Sequence, residues 1–217
     1  MNVKRVLRRA IFSPDYPKWL LGIFAVWFGV WAIGPPHPKD FVLEHLFTVA
    51  FLVFLCWSHG RFRLSNLSYT AIFVFLCLHV VGAHYTYSLV PYADWWQSLT
   101  GIALEGRNHY DRLVHFLYGL LVTPAAVELF AHYGRYSRAW AFLFPCMFMA
   151  GHAVIYELIE FAAAIVFGGD LGQAYLGTQG DIWDGQKDMA FALAGTTIML
   201  VALALAGRLP VRARQSQ

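Results

Sequence analysis

Six apolar runs, near residues 19–33, 41–57, 69–83, 111–131, 139–167 and 188–207, decide what this chain can become. An α-helix needs about 20 apolar residues, within a range of roughly 17–25, to cross the hydrocarbon core of a bilayer. The first and third runs are short, with aromatic and small flanking residues to extend them into the interface. The fifth has to tilt or protrude. Only 13% of the residues are charged and the mean hydropathy is +0.51, whereas a soluble domain is about 25% charged. Polar surface is too scarce here to coat a soluble globule. In lipid every backbone N–H and C=O needs an internal partner, so the runs become helices. The sequence predicts an all-α bundle of six transmembrane helices over residues 19–207. A basic segment, 1–18, precedes it, and a basic tail, 208–217, follows. No small-residue cleavage motif follows the first run, which reads as an uncleaved anchor.

Orientation comes from the 16 lysines and arginines. Twelve fall on one side: Lys4, Arg5, Arg8, Arg9, Lys18, Arg61, Arg63, Arg135, Arg138, Arg208, Arg212 and Arg214. Four fall on the other: Lys39, Arg107, Arg112 and Lys187. The positive-inside rule then makes both termini cytoplasmic and turns loops 34–40, 84–110 and 168–187 outward. Trp95 and Trp96, with Tyr85, Tyr87 and Tyr92, suit an outer interfacial belt, and a short surface helix is expected within 84–110. The basic residues hug the membrane and form no nucleic-acid stripe, so no nucleic-acid partner is expected. The cysteines Cys56, Cys77 and Cys146 lie inside apolar runs with no CxxC, which argues against disulfides and thiolate metal sites. Phosphate-binding glycine loops, G-x-S-x-G and H-E-x-x-H are absent from the sequence.

The segment 168–188, GGDLGQAYLGTQGDIWDGQKD, is the chain's strongest local signal. Five glycines permit turns that other residues resist. Asp181, Asp184 and Asp188 are spaced to share a helix face, while Asp170 reads as solvated. Other ionisable residues lie at the same depth. Glu44 and His45 open the second run and His79 and His84 close the third. Asp111 and His115 open the fourth, four residues apart on one face. Glu157 sits 18 residues into the fifth, about 27 Å along at ~1.5 Å per residue, with Glu160 one turn on. Ionisable groups inside a membrane are costly and mark functional sites by default. Carboxylates suit Mg²⁺, Ca²⁺ or Mn²⁺, and imidazoles move the preference toward Zn²⁺ or Fe²⁺. A cation could activate water while a spare carboxylate serves as base.

Bland alternatives exist for several of these residues. A lone His79 or His152 is more often an interhelical hydrogen bonder, and Asp111 could merely complement its helix dipole. His37, His59, His109 and His132 sit in loops and carry little weight. Glu128, four residues after Pro124, lies away from the cluster, where hydrogen bonding at the kink is its expected role.

With those residues in view, the chain resembles the YjdF-like family of bacterial inner-membrane proteins. The stretches that carry the likeness are HVVGAHYTY (79–87), RNHYDRLVHFLYGLL (107–121), YELIEF (156–161) and AYLGTQGDIWDGQKDM (174–189). The resemblance implies a location in the bacterial cytoplasmic membrane and implies no activity. The chain is more distantly similar to VanZ-like membrane proteins. Their Asp-Lys-x-x-His-Phe helix start is similar to the run from Asp111 to Phe116, and their later Glu to Glu157 or Glu160. Their Asp-x-x-x-Asn-x-x-Gly fits Asp188 and Gly195, with Ala192 where Asn is expected. That likeness implies lipid or envelope substrates.

The expectation is therefore a membrane-embedded enzyme of hydrolase type. It would use a divalent metal (Zn, Mg or Mn) and act on a lipid-linked or envelope substrate among its membrane lipids. Glu157, Glu160 and Asp184 are the candidate catalytic residues; His79, His84, Asp111, His115, Asp181 and Asp188 are the candidate ligands. The alternatives are a proton- or cation-coupled transporter and a non-catalytic scaffold.

Overall fold

The computed structural model describes residues 13–169 and 178–212. Most of the basic N-terminal segment, the end of the basic tail, and Asp170, Gly172 and Gly177 of the acidic segment lie outside the described residues. Among the described residues there are seven helices and no strand: α1 (Tyr16–Trp31), α2 (Pro38–His59), α3 (Asn66–His84), α4 (Tyr92–Thr100), α5 (Tyr110–Tyr133), α6 (Arg138–Phe167) and α7 (Asp184–Leu205). Five of them, α2, α3, α5, α6 and α7, are long and apolar enough to cross a membrane. Helix α1 has 16 residues, about 24 Å at ~1.5 Å per residue against a ~30 Å core. It runs beside α3, to which Trp27 Nε1 donates through the Cys77 carbonyl at 3.1 Å. Helix α6, with 30 residues, is about 45 Å long by the same measure and outreaches the core, as its apolar run foretold. Helix α4 buries none of its residues and presents Trp95, Trp96 and Leu99, the surface helix expected in that loop.

The bundle is built around α3, α5 and α7. Helix α3 packs against α1, α2 and α5, and α6 packs against α7 and α5. The most extensive contact joins α5 to α7, and two glycines permit it. A Cβ on Gly119 would stand 1.9 Å from the Ala192 carbonyl oxygen, and one on Gly195 would stand 2.1 Å from that of Phe116. The two backbones therefore touch, the small-residue crossing that lets membrane helices gain packing energy where burial from lipid gains nothing. A core of Phe24, Tyr69, Ile72 and Leu76 fills the space between α1 and α3, while many other large apolar side chains, Val53, Leu158, Ile165 and Leu205 among them, face outward, as lipid-covered surface requires.

The two ends differ in chemistry. At one end Tyr136 N donates to the Pro210 carbonyl and Arg212 N to the Tyr136 carbonyl, both at 2.8 Å, tying the α5–α6 loop to the chain after α7. Glu128 lies at this end, but it does not serve the Pro124 kink as expected. Its carboxylate accepts from Ser65 N (2.7 Å), Ser65 Oγ (2.6 Å) and Ser68 Oγ (2.8 Å), closing the N-terminus of α3. Of those donors, Ser65 N is a backbone group that a helix start leaves without an internal partner. Glu128→Ala is expected to lower stability by about 1–3 kcal/mol, the cost of stranding such groups. Thermal unfolding in detergent would read it, with Glu128→Gln recovering most of the loss.

Candidate functional site

The opposite end gathers the ionisable residues, because the N-termini of α2, α5 and α7 and the C-terminal parts of α3 and α6 all arrive there. Asp111 is the second residue of α5 and Asp184 the first of α7. Asp188 follows Asp184 by four residues, on the same face. Each helix start carries partial positive charge, which favours carboxylates there. Oxygens of Asp111, Asp184 and Asp188 all lie within 4.8 Å of one another. Asp184 and Asp188 are only 3% and 2% exposed, and Asp184 Oδ2 and Asp188 Oδ1 have no hydrogen-bond partner among the described residues. Buried carboxylate oxygens so close together are stable only with a cation or protons between them.

His115 and Glu157 adjoin this trio. His115 Nε2 stands 3.5 Å from Asp111 Oδ1 and 3.5 Å from Glu157 Oε1, between the two. The first turn of α7 passes directly over Glu157, since a Cβ on Gly185 would lie 2.6 Å from Glu157 Oε2. Glu160 is buried one turn further along α6. An open cleft of about 450 Å³ borders the group, lined by Glu157, Glu160, Asp181 and Asp184 together with apolar Leu158 and Phe161.

Three of the nine candidates stand apart from the trio. Asp181 is engaged by cations, Arg112 at 2.5 Å and Lys187 at 2.6 Å. His84 Nδ1 donates to the Trp31 carbonyl at 2.7 Å, holding the end of α1. His79 Nδ1 bonds the Tyr87 hydroxyl, which returns to it through a turn where Thr86 and Tyr87 both have positive φ. That turn lays the Tyr87 ring against Gly82, where a Cβ would meet Cε1 at 2.5 Å.

The arginines are what sequence reasoning missed. Arg107 reaches Asp184 at 2.5 Å, and Arg112 reaches Asp184 at 3.3 Å as well as Asp181. Arg107 also bonds the Thr178 carbonyl, and Asn108 and Gln179 exchange two hydrogen bonds beside it. A signal existed: three of the four basic residues on the minority side, Arg107, Arg112 and Lys187, converge on this layer. Tyr156 was also overlooked. Its hydroxyl donates to Glu44 Oε2 at 3.0 Å.

Asp181 lies ahead of α7, and the hydrogen bond from Lys187, aided by Trp183 N and Arg112, holds its carboxyl down at about 2. Its ordinary value is about 3.9, so this contribution to stability is complete above about pH 4 and fades as pH falls through the folded value. Acid unfolding of wild type and Asp181→Asn checks this: their difference in stability should be constant above about pH 4 and shrink toward pH 2.

A bundle of lipid-faced helices with its buried charge collected at one end defines a multi-pass membrane protein. The chain belongs to the family described as predicted membrane protein DUF2238, which matches residues 16–208. It is similar to the inner membrane protein YjdF of Escherichia coli (strain K12), with 40% identity over 146 residues, 66% of this chain and 68% of that protein. No solved structure matches. The YjdF-like resemblance seen in the sequence thus holds, and the protein is a multi-pass protein of the inner membrane.

Proposed function

We propose that the protein is a six-span inner-membrane enzyme of hydrolase type, with both termini cytoplasmic and a divalent-cation site at the outer leaflet acting on a lipid-linked substrate. The observation that carries this reading is the trio Asp111, Asp184 and Asp188, with the buried, unpartnered oxygens Asp184 Oδ2 and Asp188 Oδ1. Fully ionised, Asp111, Asp181, Asp184, Asp188 and Glu157 would supply five negative charges against three positive ones from Arg107, Arg112 and Lys187, an excess that one divalent cation, or two protons, balances. A cation there would polarise a carbonyl or phosphoryl oxygen and acidify water. Asp111, Asp184 and Asp188 would hold it. Glu157 would take up a proton at Oε1, with His115 orienting it, and the cleft between α6 and α7 would seat an amphiphile against Leu158 and Phe161.

In a carrier, ionisable groups should continue to the other end of the bundle. Glu128, the main candidate there, is committed to the start of α3. A scaffold is the second reading, favoured by the arginines that already compensate Asp184 and Asp181. Melting separates the two. Mg²⁺, Mn²⁺ or Zn²⁺ at a hundred times Kd should stabilise wild type by about 2.7 kcal/mol, and Asp188→Asn should abolish the response. Melting indifferent to all three ions would favour the scaffold. Reporter fusions test the topology: Arg135 and the C-terminus should read cytoplasmic, and Trp95 external. An external C-terminus would overturn the placement of the site.

A further inference from the structure

Helices α1, α2 and α3 leave a groove between them that the acidic site does not touch. Helices α1 and α2 each pack on α3. They meet one another near the loop that joins them. There the Phe28 ring stands 5.9 Å from that of Phe41 and 4.8 Å from that of His45, centroid to centroid. Toward their other ends they part, and the space between them is a groove of about 220 Å³. Leu20 and Phe24 of α1 line one side, Leu52 and Leu55 of α2 the other, and Ile72 and Leu76 of α3 the floor. Water is a poor filler for such a space, since a held water needs two to four polar partners. The polar part of the lining, Lys18, His59 and Tyr69, lies at the mouth, where His59 Nδ1 and the Tyr69 hydroxyl bond each other at 2.8 Å. An apolar cavity of about 150 Å³ stays dry and admits benzene. This larger groove has room for several methylene groups of a chain.

The charge at the mouth selects the kind of chain. Trp19 follows Lys18 and Trp57 follows Cys56, and both rings are exposed, as indoles are at headgroup depth. Lys18 Nζ bonds Asp15 at 2.7 Å, but both side chains are more than half exposed, and an ion pair so exposed is worth little. Arg63 donates to the Pro14 carbonyl at 3.2 Å, just ahead of α1. Arg61 lies over the Trp57 ring, 4.4 Å from its centroid. Lys18, Arg61 and Arg63 thus surround the mouth against one acid, Asp15. Glu128, the other acid at this end, is spent on the start of α3. An anionic headgroup is favoured there, and a neutral apolar chain would leave the cations without a partner.

We propose that the groove between α1 and α2 holds one acyl chain of an anionic phospholipid, whose headgroup meets Lys18, Arg61 and Arg63. Basic residues at the mouth of a cleft between membrane helices hold such headgroups by charge. The lipid ties α1, whose main contact is with α3, to the end of α2 from which it diverges. This site stands apart from the cation reading and does not depend on it.

The test is native mass spectrometry of the full-length protein, delipidated in a neutral detergent and titrated with dioleoylphosphatidylglycerol or dioleoylphosphatidylcholine. The anionic lipid should bind about tenfold more tightly or better, since each basic residue near a headgroup contributes on the order of fivefold. Lys18→Gln with Arg63→Gln should bring the two lipids within about threefold of each other. Cys56→Trp, at an exposed residue of the groove, should occlude it and weaken both lipids alike. Melting of each variant without lipid, beside wild type, separates lost binding from lost folding. Should Cys56→Trp fail to fold, Leu52→Phe takes its place. Equal affinity of wild type for the two lipids would overturn the proposal. So would a preference that survives the double variant, or binding that survives occlusion of the groove. Displacement of the lipid by glycerol phosphate would mean an anion site without a chain, and a dimer that excludes lipid would mean that a second copy covers the groove; either result also overturns it.

Discussion

Gly195→Val is expected to abolish the stable bundle, and Gly119→Val to do nearly the same. Even the first side-chain atom at either position meets backbone of the opposing helix, at 2.1 Å and 1.9 Å respectively. A backbone atom cannot rotate aside as a side chain can, so α5 and α7 would have to separate along their whole contact. Overpacking of an ordinary core costs about 1–3 kcal/mol, and a clash with backbone at the largest helix contact belongs at or above the top of that range. The consequence reaches the site. Asp111 stands eight residues before Gly119 and Asp188 seven before Gly195, about 12 Å and 10 Å from the crossing at ~1.5 Å per residue. Spreading the crossing therefore parts the carboxylates. Denaturant titration in mixed micelles and abundance in the membrane would measure the loss. Gly22→Ala is the control, because nothing lies within 4 Å of a Cβ there, and it should be close to neutral.

Arg112→Ala should destabilise the protein by about 3–5 kcal/mol, the usual cost of removing one partner from a buried ion pair. Its guanidinium bridges Asp181 at 2.5 Å and Asp184 at 3.3 Å, and the side chains of Arg112 and Asp184 are 12% and 4% exposed. Truncation leaves Asp184 dependent on Arg107 alone in an already acidic layer. If charge is the cause, Asp184→Asn in the same protein should restore much of the loss. If lost packing were the cause, the second substitution would restore nothing. Thermal unfolding of the two single variants and the double variant forms the cycle.

The helices were legible because lipid imposes a simple rule. An apolar run long enough to span had to become a helix, and the boundaries of α2, α3, α5 and α6 fall within three residues of the runs that announced them. The shared depth of Asp111, His115, Glu157, Asp184 and Asp188 was legible for the same reason, since rise per residue and alternation of direction fix depth. What stayed hidden depends on rotation and crossing. Sequence spacing does not say which way His79 and His84 turn, and both turned to Tyr87 and Trp31. Nor does it reveal that Arg112 spans two aspartates 69 and 72 residues away. Gly119 was merely a small residue in an apolar run, and Gly195 stood out only in the VanZ-like pattern, until the α5–α7 crossing showed that nothing larger than glycine fits at either position. Asp40 went unnoticed because it lies at the loop edge of its run, where a carboxylate usually meets water, whereas here it is buried.

The central claim is that Asp111, Asp184 and Asp188 hold a divalent cation, and metal analysis of the purified protein tests it most directly. Protein extracted without chelators and examined by elemental mass spectrometry should carry close to one equivalent of Mg, Mn or Zn per chain. Asp188→Asn, folded and equally abundant, should carry almost none. Wild-type protein that is metal-free as isolated, and that takes up none of the three ions at equilibrium, would contradict the account.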